Sequence, residues 1–345
     1  MSLTTVATTT KTVNKPNNRK SAASRKTKNR QALSADKKQT VLVTGCAGAL
    51  AQQVINRLRD KYNIVAVDFR EQSYLSEEIP CYKLDFNKRV FEDLFKQYKF
   101  DSVIHLGRIQ SSEETKIRRY NSNVLGTQKL LDLSHKYGIK HVLILSTYHV
   151  YGADAYNPAL IDENAPLKAA ELTHDLVDSV ELENLANIYL WKYPDLNITI
   201  LRPCNIVGPG IQNSISRLLA SSYAPSLLGF SPIMQFIHID DMADAIMLAH
   251  TTNHPGVYNV APEDWVALQD AIDVSGCRRI PVPSIPPILP RTLATIAGLK
   301  MFPSYLINYF KYPVVIDGSL FAETFHYKAK RPLKEIFRFY KEQKN

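Results

Sequence analysis

Val41-Leu42-Val43-Thr44-Gly45-Cys46-Ala47-Gly48-Ala49-Leu50-Ala51 decides the fold. An apolar run ends in a glycine turn, and residues 51–59 follow with Val54, Ile55 and Leu58 on one helical face. A second apolar run, Ile64 to Val67, stops at Asp68. Strand, glycine turn, helix, strand and acid, in that order, form the pattern of a dinucleotide-binding unit. Small residues let the backbone approach a pyrophosphate, and free N–H groups at the helix start can bond its charge. Asp68 stands about 20 residues past the turn, where a carboxylate bonds a ribose. It would repel a 2′-phosphate, so NAD is favoured over NADP, and Arg70 pulls the other way. Ala51 replaces the third glycine. The turn alone therefore reads equally as a tight strand–helix corner; the second strand and the spaced acid carry the nucleotide reading.

The same alternation continues outward. A short strand at residues 81–84 ends in Asp85-Phe86, a helix is expected over residues 90–98, and a strand over 102–106 runs into Gly107. A long helix is expected over residues 113–137, closed by Gly138, before a strand at His141–Leu145. Buried apolar strands alternating with helices imply an α/β fold, a doubly wound parallel sheet of about seven strands, with a smaller mixed subdomain after residue 203. Ligands bind at the carboxyl ends of such strands.

The chain has 345 residues, 45% of them hydrophobic, and no apolar run near the roughly 20 residues that span a bilayer. Its four cysteines are widely spaced and form no metal motif; they read as reduced thiols of a cytoplasmic protein, with no metal expected. The +9 formal charge is local. Residues 1–38 hold ten of the 42 Lys and Arg and one of the 33 Asp and Glu, leaving 32 against 32 in the remainder. A body that is neutral has no bulk attraction for polyanions. The tail, poor in apolar groups, is expected to be disordered. It reads either as an arm for nucleic acid or an anionic membrane, or as a solubilising extension. The organisation expected is a basic tail 1–38, a Rossmann domain 39–202 and a substrate-binding subdomain 203–345 with shared elements.

Several ordered motifs carry a family likeness: Thr44-Gly45-x-x-Gly48, Asp68, Asp85-Phe86, His105-Leu106-Gly107, Asn123-Val124-Leu125-Gly126-Thr127, Ser146-Thr147-x-x-Val150-Tyr151-Gly152, Leu201-Arg202-Pro203-x-Asn205-x-x-Gly208-Pro209-Gly210 and His238-Ile239-Asp240-Asp241. On these, over about residues 39–340, the chain resembles the extended short-chain dehydrogenase/reductases. The nearest type is the NAD-dependent epimerases and dehydratases of sugar nucleotides, such as UDP-galactose 4-epimerase. The resemblance implies cofactor contacts at Gly45, Ala47, Gly48, Ala49, Leu50, Asp68, Arg70, Asp85, Phe86, Leu106, Gly107, Asn123, Ser146 and Pro203, with Asp85 and Phe86 near the adenine. It implies that Thr147 bonds the substrate's hydroxyl or carbonyl, with Asn205 and Tyr148 on the substrate side. It also implies a homodimer built on the helices around 113–137 and 174–192.

The family's chemistry uses Tyr-x-x-x-Lys on the helix after the fifth strand. The lysine's charge lowers the tyrosine pKa so that the phenolate can take a hydroxyl proton. Two anchors fix where the pair belongs: Glu183, which usually follows the lysine by four, and the next strand, entered without a gap at residues 194–202. Both put Asp175 at the tyrosine position and Ser179 at the lysine position, on a helix expected over 174–192 with Thr173 as its N-cap. The only Tyr-x-x-x-Lys in the chain is Tyr340–Lys344, at its end. The chain thus resembles an atypical subgroup that lacks the pair.

Two functions follow. One is an enzyme whose proton is moved by Asp175 or His174, with Thr147 orienting the substrate; a tyrosine donated by the back half is a further source. The other is an inactive nucleotide-binding scaffold or sensor. In the back half, residues 280–290 are proline-dense and a helix is expected over 292–301. This segment reads as a lid over the substrate cleft, or as an apolar surface that, with the basic tail, would hold the protein peripherally on a membrane.

Overall fold

The computed structural model describes residues 38–70, 78–109, 114–283 and 305–344. The basic tail up to residue 37 lies outside these, as do most of the proline-dense segment and the helix expected over 292–301. Residues from Gln39 onward form one unit.

Seven parallel strands make the main sheet: β1 (Thr40–Thr44), β2 (Asn63–Asp68), β3 (Cys81–Lys83), β4 (Ser102–His105), β5 (His141–Leu145), β6 (Asn197–Pro203) and β7 (Gly256–Val260). Their order is β7-β6-β5-β4-β1-β2-β3. Val41, Leu42, Val43, Val103, Ile104, Val142, Leu143 and Ile144 are wholly buried, as the unbroken apolar runs require when helices cover both faces. On one face, Val54, Ile55 and Leu58 of helix α1 (Ala49–Leu58) share a core with Met242, Ala245 and Ile246 of a helix at Ile239–Thr252. On the other, Phe91 and Leu94 of α2 (Arg89–Gln97) join residues from the two helices before and after β5, such as Leu130, Leu131, Leu182 and Ala186. The chain runs outward from β1 to β3, then returns to lay β4 on the other side of β1. The crevice between the carboxyl ends of β1 and β4 is where ligands bind in such sheets.

Two helices depart from the expectation. The long helix over 113–137 is interrupted: α3 (Lys116–Tyr120) and α4 (Gly126–Lys136) are joined by a π turn at Asn121–Leu125. Apolar periodicity does not register one extra residue of that kind. The helix expected from residue 174 begins later, as α5 (Val177–Lys192). Thr173 does cap, but it caps a turn: its Oγ1 accepts from Asp175 N at 3.2 Å.

Beyond residue 203 the chain is not separate from the sheet, because β7 and the helix at Ile239–Thr252 both come from there. The rest forms short strand pairs, Asn205–Val207 with Phe236–His238 and Tyr223–Leu227 with Arg278–Val282. These sit on a third core that includes Leu218, Phe236, Ile272 and Phe337.

Candidate functional site

The turn after β1 and the turn after β4 touch. Gly45 has φ +73°, and a Cβ there would lie 2.5 Å from Gly107 Cα. Only glycine fits both the left-handed backbone and the space. A hydrogen-bond relay fixes the two turns to each other. Gly107 N donates to Thr44 Oγ1 (3.2 Å), which bonds His105 Nδ1 (2.7 Å). On the other ring edge, His105 Nε2 bonds Thr127 Oγ1 (3.0 Å), which itself donates to Asn123 O (2.6 Å). Because Thr127 donates onward, His105 Nε2 carries a proton, and a neutral ring leaves Nδ1 to accept from the Thr44 hydroxyl. Burial agrees, lowering its pKa to about 4.

Beside these turns lies a cavity of about 590 Å³. It is lined by the expected cofactor residues Gly45, Gly48, Asp68, Arg70, Asp85, Phe86, Leu106, Gly107 and Asn123, and also by Lys83, Asn87, Arg108, Ile109, Thr115 and Arg118. Asp68 is only 2% exposed. Its Oδ2 accepts from Ala47 N and its Oδ1 from Arg70 N, both at 2.9 Å. Arg70 Nε also pairs with Oδ1 at 3.3 Å, so the cation that would welcome a 2′-phosphate is held on a carboxylate. Asp85 Oδ1 accepts from Asn87 N (2.9 Å), and the Phe86 ring stands edge-on to His105. Helix α1 has Gly48 as its N-cap, no side chain among the described residues capping it and no acid in its first turn, which leaves its amide end available to an anion. A glycine cradle, an open helix start and a buried ribose-side acid fit a dinucleotide with an unphosphorylated ribose.

The other expected cofactor residues are not on this cavity wall. Ala49 and Leu50 open α1, and Leu50 packs into the core. Ala47 meets Asp68 through its amide. Ser146 and Pro203 stand at the ends of β5 and β6.

There the side chains are tied together. Ser146 Oγ donates to Glu183, which forms a buried ion pair with Arg202 (Nε to Oε1, 2.5 Å). Arg202 Nη1 donates to the Tyr151 hydroxyl (2.6 Å), which donates to Asn259 Oδ1 (2.7 Å). Burial works against the Arg202 charge, but Glu183 and Tyr151 outweigh it and hold the pKa above the ordinary value.

Thr147 Oγ1 lies 2.9 Å from His149 Nδ1. Burial lowers the His149 pKa to about 3, so the ring is neutral. The Tyr148 hydroxyl donates to Asn205 Oδ1 (3.0 Å), and burial pushes its phenol upward. These two substrate-side candidates are therefore brought together.

The two candidate proton carriers stand before α5 rather than on it. His174 is exposed. The Asp175 carboxylate pairs with Lys116 at 3.3 Å, and its carbonyl accepts from Arg119 (2.8 Å). Ser179, at the lysine position, is buried on α5 and receives a hydrogen bond from Arg108 Nη2. Sequence reasoning missed Arg108. The residue follows the Leu106-Gly107 turn directly, and a basic side chain leaving a cofactor turn was the available signal. Among the described residues no cluster of His, Cys, Asp and Glu could hold a metal ion.

The family model described as the NAD dependent epimerase/dehydratase family matches residues 41–261. Among curated relatives, an uncharacterized protein of Mycobacterium tuberculosis is 24% identical over 253 residues, covering 70% of this chain and 67% of that one. UDP-glucose 4-epimerase 2 of Arabidopsis thaliana is 26% identical over 254 residues, 61% of this chain and 71% of the relative. Among solved structures, the UDP-glucose 4-epimerase of Thermotoga maritima with UDP-glucose superposes with a TM-score of 0.70 at 18% identity, covering 88% of this chain and 98% of that one. The Thermus thermophilus UDP-glucose 4-epimerase complex with NAD gives 0.69 at 17%, with the same coverage. At such identities the structures speak for the fold. The family match spans most of the chain, and the chain belongs to the NAD dependent epimerase/dehydratase family.

Proposed function

We propose that the protein binds NAD and acts on a hydroxyl or carbonyl of a sugar nucleotide as an epimerase or dehydratase, through a proton relay without the Tyr-x-x-x-Lys pair. The observation that carries this reading is the pocket where β1 and β4 part, with Gly45 against Gly107 and the buried carboxylate of Asp68. Gly45, Gly48 and the open start of α1 would hold the pyrophosphate, and Asp68 the adenosine ribose. The pairing of Arg70 with Asp68 favours NAD over NADP. Bound NAD would supply a hydride acceptor and donor. Thr147 would orient the reacting oxygen, Asn205 and Tyr148 would face the substrate, and Asp175 or His174 would move the proton.

The test is to release and identify the bound nucleotide and then incubate the protein with a panel of nucleotide sugars. Turnover that is lost in Asp175→Ala or His174→Ala supports the assignment; full activity in both removes it. One arrangement favours the second reading, a scaffold or sensor that keeps NAD without turnover: His174 is solvent-exposed and Asp175 is engaged by Lys116. Retained NAD with no turnover of any sugar selects it.

The protein is further proposed to form a homodimer across α3, α4 and α5, where Trp191 is 84% and Ile188 58% exposed. No helix among the described residues is long and apolar enough to cross a membrane. Peripheral attachment through the basic tail is a separate proposal; pelleting with anionic vesicles at low salt tests it.

A further inference from the structure

The proton relay of this family needs a phenol and a nearby cation. Here a phenol, Tyr305, and a cation, Arg108, stand on segments far apart in the chain, and the charge of Arg108 is felt at Tyr305. Arg108 leaves the cofactor wall and puts Nη2 on Ser179 Oγ, 71 residues away and at the position where the lysine is expected. Its Nε is buried and has no hydrogen-bond partner among the described residues, which is costly for a guanidinium unless something else uses the charge. Tyr305 comes from the back half. Its ring is edge-on to His149, with centroids 5.9 Å apart, and perpendicular to Tyr309 at 6.1 Å. The Tyr309 hydroxyl donates to His149 O (2.7 Å), and His149 is bonded to Thr147. Tyr305 thus packs on His149, which in turn bonds the residue expected to orient the substrate. Among the described residues its hydroxyl makes no hydrogen bond.

We propose that Tyr305 carries the proton and that Arg108 is its positioning cation, the two together replacing the Tyr-x-x-x-Lys pair. This rests on the epimerase/dehydratase reading above, keeps its NAD and its substrate class, and replaces its assignment of the proton to Asp175 or His174. In the oxidising step the substrate's O–H bond breaks and its proton goes to the Tyr305 phenolate oxygen. The C–H bond of the same carbon breaks and the C=O bond forms, the hydrogen leaving with its electron pair as a hydride that bound NAD would accept. The return step reverses each transfer. Asp175 and His174 then have no part in the proton transfer.

The groups facing Tyr305 set its pH behaviour. Burial raises its phenol above the ordinary value, and the charges of Arg108 and Arg119 oppose that rise. Asp175 and Asp178 add to it, while Tyr309 packs alongside and His149, being neutral, contributes no charge. The reacting form is the phenolate, so the oxidising rate should climb with pH through the alkaline range, and loss of Arg108 should move that climb higher.

The experiment uses the full chain with its nucleotide bound, as wild type, Tyr305→Phe, Arg108→Lys and Arg108→Met. Ultraviolet tyrosinate titration of each arginine background, with and without Tyr305→Phe, isolates the Tyr305 curve by difference. We expect Arg108→Met to shift that curve up by about one unit, roughly tenfold in the proton equilibrium, and Arg108→Lys to leave most of it in place. In turnover with the nucleotide-sugar panel, Tyr305→Phe should lose at least about a hundredfold in kcat with NAD still bound. A Tyr305 curve indifferent to Arg108→Met overturns the pairing, as does full turnover in Tyr305→Phe. A wild type that retains NAD but converts none of the panel overturns the enzymatic reading and Tyr305's role with it. The titration still separates that failure from a failure of the pairing.

Discussion

At one end of the crevice the backbone does the holding; at the other, side chains do. The nucleotide end is made of turns that touch, Gly45 on Gly107, with a single carboxylate, Asp68, between amides. The end where the chemistry is proposed is a run of charged and hydroxyl groups, from Ser146 through Glu183, Arg202 and Tyr151 to Asn259. Backbone geometry tolerates few substitutions, since any Cβ at Gly45 collides with the chain itself. A side-chain network can be rebuilt from another segment as long as a charge and a hydroxyl arrive in the right place. On the reading proposed above, the family's glycine turn is kept while its catalytic pair is rebuilt, and Arg108 on Ser179 would be part of that replacement.

The sharpest way to break this contrast is at the buried ion pair. Arg202→Met leaves Glu183 charged with its main partner removed, and should cost about 3 to 5 kcal/mol of unfolding free energy in urea titration. A loss under 1 kcal/mol would mean that the network is not structural. Acid comes next. His105 is neutral in the fold, with its pKa lowered to about 4 from 6.5. The unfolded chain binds a proton that the folded chain refuses, so stability should fall as the pH drops below about 6.5 and level off below about 4. The loss from this group is on the order of 3 kcal/mol. Denaturant midpoints at stepped pH read it, and His105→Asn should flatten the slope. At the nucleotide end, Gly45→Ala forces a side chain into the left-handed region and onto Gly107. It should cost about 2 to 3 kcal/mol and strip the nucleotide on purification. Retained NAD in that variant would show that the two turns can part. Asp68→Asn should weaken NAD by roughly tenfold in calorimetry and narrow its margin over NADP, while the melting temperature changes less than in Gly45→Ala. Smallest of all, Trp191→Glu should change folding free energy by under about 0.5 kcal/mol. It should nonetheless convert a dimer to a monomer in sedimentation.

The nucleotide half could be read in the chain because its signals are local. Val41 to Val43, the turn and Asp68 lie within one strand–helix–strand unit, where periodicity and spacing hold. The seven-strand sheet followed from the same alternation, repeated. The chemistry half is tertiary. Arg108 and Ser179 meet across 71 residues, and nothing in either neighbourhood announces the other. Thr173 looked like a helix cap because its side chain does accept a backbone amide, but the amide belongs to a turn that ends before α5 begins. Tyr305 follows a proline-dense stretch that carries no periodic pattern, so only a folded chain could put it beside His149.

The π turn at Asn121–Leu125 has a bearing on how this chain can change in length. The wide turn absorbs one residue beyond an ordinary helix, so deleting one residue there would restore the α-helix and leave α4 close to its present angle to α3. A deletion between Thr127 and Leu130 instead would turn one against the other by about 100°, so that the bond to His105 and the core packing of Leu130 and Leu131 could not both be kept. Single-residue gaps between relatives of the same build should therefore gather at this turn, while the spacing from Thr127 to Leu131 stays fixed.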